Sequence, residues 1–394
     1  MKIVIADSVD ESVVGILKAD PAWTVVNLPK TKGKVEDEIR DADALLVRSA
    51  TKVTAELMDK AKNLRVIGRA GVGVDNVDLD AATRKGVLVM NTPGGNAISV
   101  AEHTMTMLLA MAHPVAAADA SMKAGQWEKK KFTGSELRDK TLGLVGLGTI
   151  GTEVARLAQA HKMKVVAFDP YVSTVLAIEQ NIRLVPLDEL LKTSDFISLH
   201  SSLTPETKHL INAKSLALTK KGVRIANCAR GELVNEVALL AALESGHVAG
   251  AGLDVFEAEP PADPRLVQHP KVIATPHIAG STEEAQKVVG TRIAEQLRDY
   301  LKTGAVKNAV NMPSISPEEF KKLGPYLQLG EKLGAFVAQL TEKPFTEVSI
   351  SYDGGLADLN THLVKNAVLK GVLGHILADQ ILSLIHISEP TRPY

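Results

Sequence analysis

At 394 residues the chain is too long for one ordinary hydrophobic core, and two or three domains are expected. Its hydrophobic fraction of 45% and charged fraction of 23% are those of a soluble globular protein, and a formal net charge of -1 excludes the global basic field of a nucleic-acid-binding chain. Its one cysteine, Cys228, has no second thiol for an internal disulfide, which fits a reducing cytoplasm.

The N-terminus, MKIVIADSVD, is apolar only from Ile3 to Ala6 before Asp7 interrupts it, so it reads as a strand and not as a signal peptide. Strand candidates follow in chain order: KIVIA from Lys2, WTVVNL from Trp23, ALLVRS from Ala44, LRVIGR from Leu64 and VLVMNT from Val87. Charge-bearing helical patterns such as DESVVGILKA and TAELMDKAKN separate them. Strands alternating with helices imply parallel pairing, hence one α/β domain. A turn over Thr92 to Gly95 then opens a long helix over 98–112. Its greasiest part, MTMLLAMA, is far shorter than the roughly 20 residues of a membrane span.

A basic polar stretch, KAGQWEKKKFTGSELRDK, leads into LGLVGLGTIG. There Gly146, Gly148 and Gly151 stand in the order G-x-G-x-x-G after an apolar run and before the helical pattern TEVARLAQAHK. The first glycine makes the tight turn, the second admits a pyrophosphate to the backbone, and the third lets helix and strand pack closely. The next strand, KVVAFDP, ends in Asp169, 18 residues after Gly151. A carboxylate there accepts both ribose hydroxyls and repels a 2′-phosphate, so the cofactor expected is NAD. Further strand candidates are DFISLH (195–200), VRIANC (223–228), GAGLDVF (250–256) and KVIATP (271–276), which with 141–147 and 164–169 make six. After His277 the pattern STEEAQKVVGTRIAEQLRDYL is helical again. A dinucleotide fingerprint in mid-chain therefore means a nucleotide domain inserted into another domain.

From about Val306 the character changes. NAVNMPSISPEEFKKLGPYLQLGEKLGAFVAQL reads as a linker and an amphipathic helix, FTEVSISYDG as a half-buried strand, and a further helical pattern begins at Asp358. The end, SLIHISEPTRPY, fits none of this; it resembles translated sequencing-adapter DNA and is read as a non-native tail.

Three stretches lie where late strands end, the place where open α/β sheets hold ligands. NCARGELVNE carries Arg230, LDVFEAEPP carries Glu259, and ATPHIAGST carries His277. An arginine grips a carboxylate through two parallel hydrogen bonds. A histidine gives or takes a proton near neutral pH, and a glutamate beside it favours the imidazolium and fixes the tautomer. Taken singly, each has an ordinary structural reading: a surface arginine, a loop acid, a core histidine. Their joint occurrence with the fingerprint points to oxidation of a 2-hydroxy acid. No set of residues suggests a metal site.

These blocks resemble the signatures of the D-isomer-specific 2-hydroxyacid dehydrogenases. VRSATKVTAELMDKAKNLRVIGRAGVGVDNVD, NTPGGNAISVAEHT and the third-domain stretch SISYDGGLADLNTHLVKNAVLKGVLGHIL are similar to the long-form branch that acts on 3-phospho-D-glycerate. The resemblance runs from residue 1 to about 382. It implies a Rossmann-type nucleotide-binding domain (98–277) inserted into a flavodoxin-like substrate-binding domain (1–97 and 278–305). A partial α+β intervening domain (306–382) and the tail (383–394) would follow. It implies oxidation of 3-phospho-D-glycerate to 3-phosphooxypyruvate with NAD, the first step of phosphorylated L-serine biosynthesis. Carried over residue by residue, Arg230 holds and polarises the substrate, His277 is the acid/base and Glu259 supports it. Gly146, Gly148, Thr149, Ile150, Gly151, Asp169, Ser201, Cys228, Ala229, Arg230, Asp254, His277 and Gly280 line the cofactor. Arg48, Arg69 and Asn96 approach the substrate. Val72 departs from relatives that carry threonine there. The resemblance also implies closure about hinges near 92–98 and 277–283, and a homodimer or homotetramer with helix 98–112 and the EKKKF segment at the contact. Two other readings share Arg230, Glu259 and His277: a broader hydroxypyruvate or glyoxylate reductase, and an NAD(H)-sensing corepressor-like binding protein.

Overall fold

The computed structural model describes residues 1–312, 317–340, 347–356 and 361–374. The chain divides into two units: Met1–Gly95 together with the described residues from Gln286 on, and Asn96–Ala285.

In the first unit every strand expected from the sequence forms: β1 (Lys2–Ile5), β2 (Thr24–Asn27), β3 (Ala44–Val47), β4 (Val66–Arg69) and β5 (Leu88–Met90). All pair in parallel, in the order β2-β1-β3-β4-β5, which is the flavodoxin-like order. Side-chain alternation divides the apolar strands between two cores. Ile3, Ile5, Leu46 and Val66 pack with Ile293, Ala294 and Leu297 of the helix Glu283–Thr303, while Val4, Leu45 and Ile67 pack with Leu57, Met58 and Ala81 on the other face. The late helix thus returns to the first sheet. Gly68 lets it lie close, since a Cβ there would come within 2.8 Å of Ile293. Residues 308–311, part of the stretch read as a linker, run along β5. Val310 N donates to Val89 O at 2.9 Å, and the buried Asn311 side chain accepts from Val89 N and donates to Val87 O, both at 2.8 Å. An open strand edge is covered in this way.

The second unit is a seven-stranded parallel sheet. Its strands are β6 (Thr141–Val145), β7 (Lys164–Phe168), β8 (Arg183–Leu184), β9 (Phe196–Leu199), β10 (Val223–Asn227), β11 (Val248–Leu253) and β12 (Val272–Ala274). The order is β12-β11-β10-β9-β6-β7-β8. Counted within the unit this is 3-2-1-4-5-6 with a seventh strand added, the doubly wound nucleotide fold. Six strands were expected; β8 is the extra one, too short at two residues to show a period. Helices cover both faces, with Met105 and Leu108 of the helix Ala97–Ala112 on one side and Leu190, Leu239 and Leu243 on the other. A further helix, Val115–Lys123, follows it, and the polar stretch that begins at Lys123 contains a 3-10 turn, Lys129–Phe132.

Beyond residue 312, the helices Pro317–Leu340 and Thr361–Gly374 pack together. They meet backbone to backbone: a Cβ on Gly334 would overlap the Val368 carbonyl, and one on Gly371 the Glu331 carbonyl. The expected strand FTEVSISYDG does not form over 347–353. Alternation alone does not make a strand, and no described residue there offers it a pairing partner. The proposed helix start at Asp358 and the tail from Ser383 lie outside the described residues.

Candidate active site

The glycine turn follows β6. Gly146 has φ +96, and a Cβ on it would meet the His200 carbonyl group at 2.7 Å. A Cβ on Gly151 would overlap the carbonyl oxygen of Gly146, so the third glycine allows the turn to fold onto itself. Gly148 differs: nothing lies within 4 Å of its Cβ position. It is the N-cap of the helix Thr149–Ala160 and supplies no side chain to that helix's first N–H groups. Thr149 and Ile150 form the first helical positions. Open space before unpaired N–H groups is what a pyrophosphate needs.

Asp169, at the end of β7, ties this turn down. One carboxylate oxygen accepts from Leu147 N at 2.8 Å and the other from Tyr171 N at 2.8 Å. A carboxylate has about four acceptor positions, so capacity for ribose hydroxyls remains. Ser201 follows β9, and its Oγ is buried without a hydrogen-bond partner. Its neighbour His200 bonds Ser198 Oγ at 2.9 Å, and burial pushes its pKa down to about 4, so the ring is neutral near pH 7.

Arg230 stands just past β10 and begins the turn Gly231–Leu233. The fully buried Asn227 shapes this turn: its Nδ2 donates to Arg230 O at 2.8 Å and its Oδ1 accepts from Ala229 N at 3.1 Å. A Cβ on Gly231 would overlap the Phe256 carbonyl, so glycine lets the Arg230 turn abut the loop bearing Glu259. Within that loop Phe256 N donates to Glu259 Oε1 at 3.3 Å. The other carboxylate oxygen, Glu259 Oε2, is 2.8 Å from His277 Nδ1. The three residues singled out by chemistry thus lie on abutting loops at the C-terminal edge of the sheet.

His277 has φ +52, a left-handed conformation unusual for a side chain with a Cβ. Its N–H donates to Asp254 O at 2.8 Å and Thr275 O at 3.0 Å. Asp254, fully buried, accepts from Thr275 Oγ1 at 2.6 Å, Ile278 N at 2.8 Å and Ala279 N at 2.9 Å. Burial works to raise its pKa, but these bonds and one from His103 outweigh it and hold the carboxylate down at about 2. From the helix Ala97–Ala112, Ser99 Oγ donates to Ala279 O at 2.6 Å and His103 Nε2 sits 3.1 Å from Thr275 Oγ1. Sequence reasoning placed Asp254 beside the cofactor but missed its clamping of the His277 turn, and missed His103 and Asn227 entirely. Cys228 is buried among Val100, Met107 and Ala279, and burial pushes its thiol up to about 12. Asn96 packs against Gly280, its Nδ2 2.7 Å from a Cβ there, and its buried Oδ1 has no hydrogen-bond partner.

In the first unit Arg48 and Arg69 share the C-terminal edge of β3 and β4, where Val47 is paired in register with Arg69. Arg48 Nη1 donates to Ser8 O at 3.1 Å, and the Arg69 guanidinium covers Gly71, filling the place of a Cβ. Gly71 and Val72 are tied to the strand-end loop after β5: Gly71 N donates to Thr92 Oγ1 at 3.0 Å and Asn91 Nδ2 to Val72 O at 2.5 Å. No helix among the described residues is long and apolar enough to cross a membrane.

Residues 105–279 match the model of the D-isomer specific 2-hydroxyacid dehydrogenase NAD binding domain, and residues 322–384 that of the D-3-phosphoglycerate dehydrogenase intervening domain. The chain is 48% identical over 344 residues to the D-3-phosphoglycerate dehydrogenase of Bacillus subtilis, covering 87% of this chain and 66% of the relative. It is 47% identical over 378 residues to that of Methanocaldococcus jannaschii, covering 96% and 72%. The chain therefore spans about two thirds to seven tenths of the length of these relatives. Among solved structures, D-lactate dehydrogenase from Aquifex aeolicus, complexed with NAD and lactic acid, is 32% identical with a TM-score of 0.68, covering 80% of this chain and 100% of that one. The TT0316 protein of Thermus thermophilus is 35% identical with a TM-score of 0.70, covering 79% and 100%.

Proposed function

The chain belongs to the D-3-phosphoglycerate dehydrogenases, within the D-isomer-specific 2-hydroxyacid dehydrogenases, and from that premise we propose that it oxidises 3-phospho-D-glycerate to 3-phosphooxypyruvate with NAD, the first step of phosphorylated L-serine biosynthesis. The observation that carries this reading is the His277–Glu259 pair, which engages Nδ1 and leaves Nε2 for a substrate proton. NAD, when bound, supplies the hydride acceptor. The glycine turn fits it, with open space over Gly148, uncapped N–H groups behind it and Asp169 beside it for the ribose hydroxyls.

His277 Nε2 takes the proton of the C2 hydroxyl as the hydride leaves C2. Glu259 holds the ring through Nδ1 and balances the imidazolium that forms. Arg230 binds the substrate carboxylate and polarises the C2 oxygen. Arg48 and Arg69 take the substrate's phosphate, with Asn96 assisting. The protein's setting is the cytoplasm, as a homodimer or homotetramer. Ile98, Val115, Met122 and Trp127 expose apolar surface that a second copy would cover.

The deciding experiment is NADH formation by the purified chain with 3-phospho-D-glycerate and unphosphorylated D-glycerate side by side. A strong preference for the phosphorylated acid is expected. Equal rates would point to a broader reductase, and NAD binding without turnover of either would point to a binding protein.

A further inference from the structure

The His277 turn is held against its own backbone preference. At φ +52 the Cβ crowds the backbone, and such a conformation persists only where the surroundings over-determine it. Asp254 supplies most of that restraint, taking Thr275 Oγ1, Ile278 N and Ala279 N on either side of His277. Two partners come from far away in sequence, on one helix: Ser99, whose Oγ donates to Ala279 O, and His103. His103, on the helix Ala97–Ala112 and with its side chain 18% exposed, places Nε2 3.1 Å from Thr275 Oγ1 and 3.5 Å from Asp254 Oδ1.

Hydrogen-bond accounting fixes the direction of that contact. Asp254, held at a pKa of about 2, is ionised and accepts only. The Thr275 hydroxyl has one proton, and it goes to Asp254 Oδ1 at 2.6 Å. Thr275 Oγ1 can then only accept from His103, so Nε2 carries the hydrogen. The Nε2–H tautomer meets this demand.

Resting on the reading of His277 as the acid/base, we propose that His103 is a positioning residue: by donating to Thr275 Oγ1 it locks the Thr275–Asp254 bond and thereby the left-handed backbone that presents the His277 ring. His103 touches neither substrate nor cofactor in this role. It acts two residues upstream of His277, through Thr275.

The test compares wild type, His103→Leu and His103→Gln. Leucine fills the space without a donor; the glutamine amide restores one. Two readouts are taken: backbone amide exchange of Ile278 and Ala279 without substrate, and kcat with the KM for NAD. In His103→Leu, exchange of both amides should quicken and kcat fall, each about fivefold, the size of one hydrogen bond's net worth. The KM for NAD should stay unchanged, and His103→Gln should restore both readouts. Wild-type exchange and kcat in the leucine variant, with at most a lower Tm, would make His103 a packing residue and overturn the proposal. A glutamine variant as impaired as leucine would overturn it too. If the wild type shows no turnover, the proposed function fails, while the exchange measurement still decides whether His103 holds the turn.

Discussion

The second unit contains the two turns on which the proposed function rests, and they are built by opposite means. The turn Gly146–Gly151 is made by leaving side chains out: a positive φ at Gly146, a self-contact at Gly151 and open space at Gly148. The His277 turn is made by putting side chains in. A residue with a Cβ sits in the left-handed region, and Asp254, Thr275, Ser99 and His103 hold it there. The first device is local and needs about six residues. The second gathers groups from residue 99 to residue 279. A phosphate needs only N–H groups and room, which glycine supplies. A proton-transferring imidazole needs one ring orientation, which only a network imposes.

The largest expected effect breaks the His277 turn chemically. His277→Ala removes the proposed base and leaves the glycine turn untouched. Turnover should fall by about two to four orders of magnitude. NAD affinity, followed by fluorescence, should change little. Near-normal turnover would show that the network presents something other than the proton acceptor.

The glycine turn should break physically instead. Gly151→Ala drives a methyl into the Gly146 carbonyl and should destabilise the fold by about 3 kcal/mol, measured by denaturant unfolding. Gly148→Ala, at φ -74 with empty space around it, should leave stability unchanged and weaken NAD binding about tenfold. If the two substitutions behave alike, the three glycines do not divide their roles as their surroundings indicate.

The same contrast governs what could be read from the sequence. The glycine turn, Asp169 and all five strands of the first sheet were legible because each signal is local: a run, a period, a spacing. That Arg230, Glu259 and His277 sit where late strands end was legible too, because each follows an apolar run. His103 and Thr275 are 172 positions apart, and nothing near either residue announces the pair. Asn227 looked like one more residue at a strand end, yet it shapes the Arg230 turn. The helix Val115–Lys123 was missed because its alanine-rich sequence has little apolar face. The strand expected at FTEVSISYDG had a period and no partner.

Acid should act near the glycine turn through His200. In the folded protein its ring stays neutral down to about pH 4, whereas in the unfolded chain it titrates near 6.5. Between those values the unfolded chain binds a proton that the folded one refuses. Stability from this group is therefore complete above pH 6.5 and is lost as pH falls to 4, by at most about 3 kcal/mol. Unfolding free energies at pH 7 and pH 5 should differ less in His200→Gln than in wild type; identical differences would show that the ring is protonated as easily folded as unfolded.

The smallest effect separates the two turns by how much of a shared cluster each one covers. Cys228 packs under Ala279, the residue whose N–H and C=O are held by Asp254 and Ser99. With burial pushing its thiol to about 12, only about one molecule in ten thousand carries a thiolate at pH 8. Native protein should therefore be alkylated by iodoacetamide orders of magnitude more slowly than unfolded chain. Opening of the His277 turn withdraws Ala279 and uncovers the sulfur, whereas the glycine turn reaches this cluster only through the half-buried Ile150. Asp254→Asn, which weakens the acceptor for Thr275, Ile278 and Ala279, should quicken alkylation; Gly148→Ala should not. Equal acceleration by both would mean that the two turns open as one unit, and that the network around His277 is no more than part of a common packing.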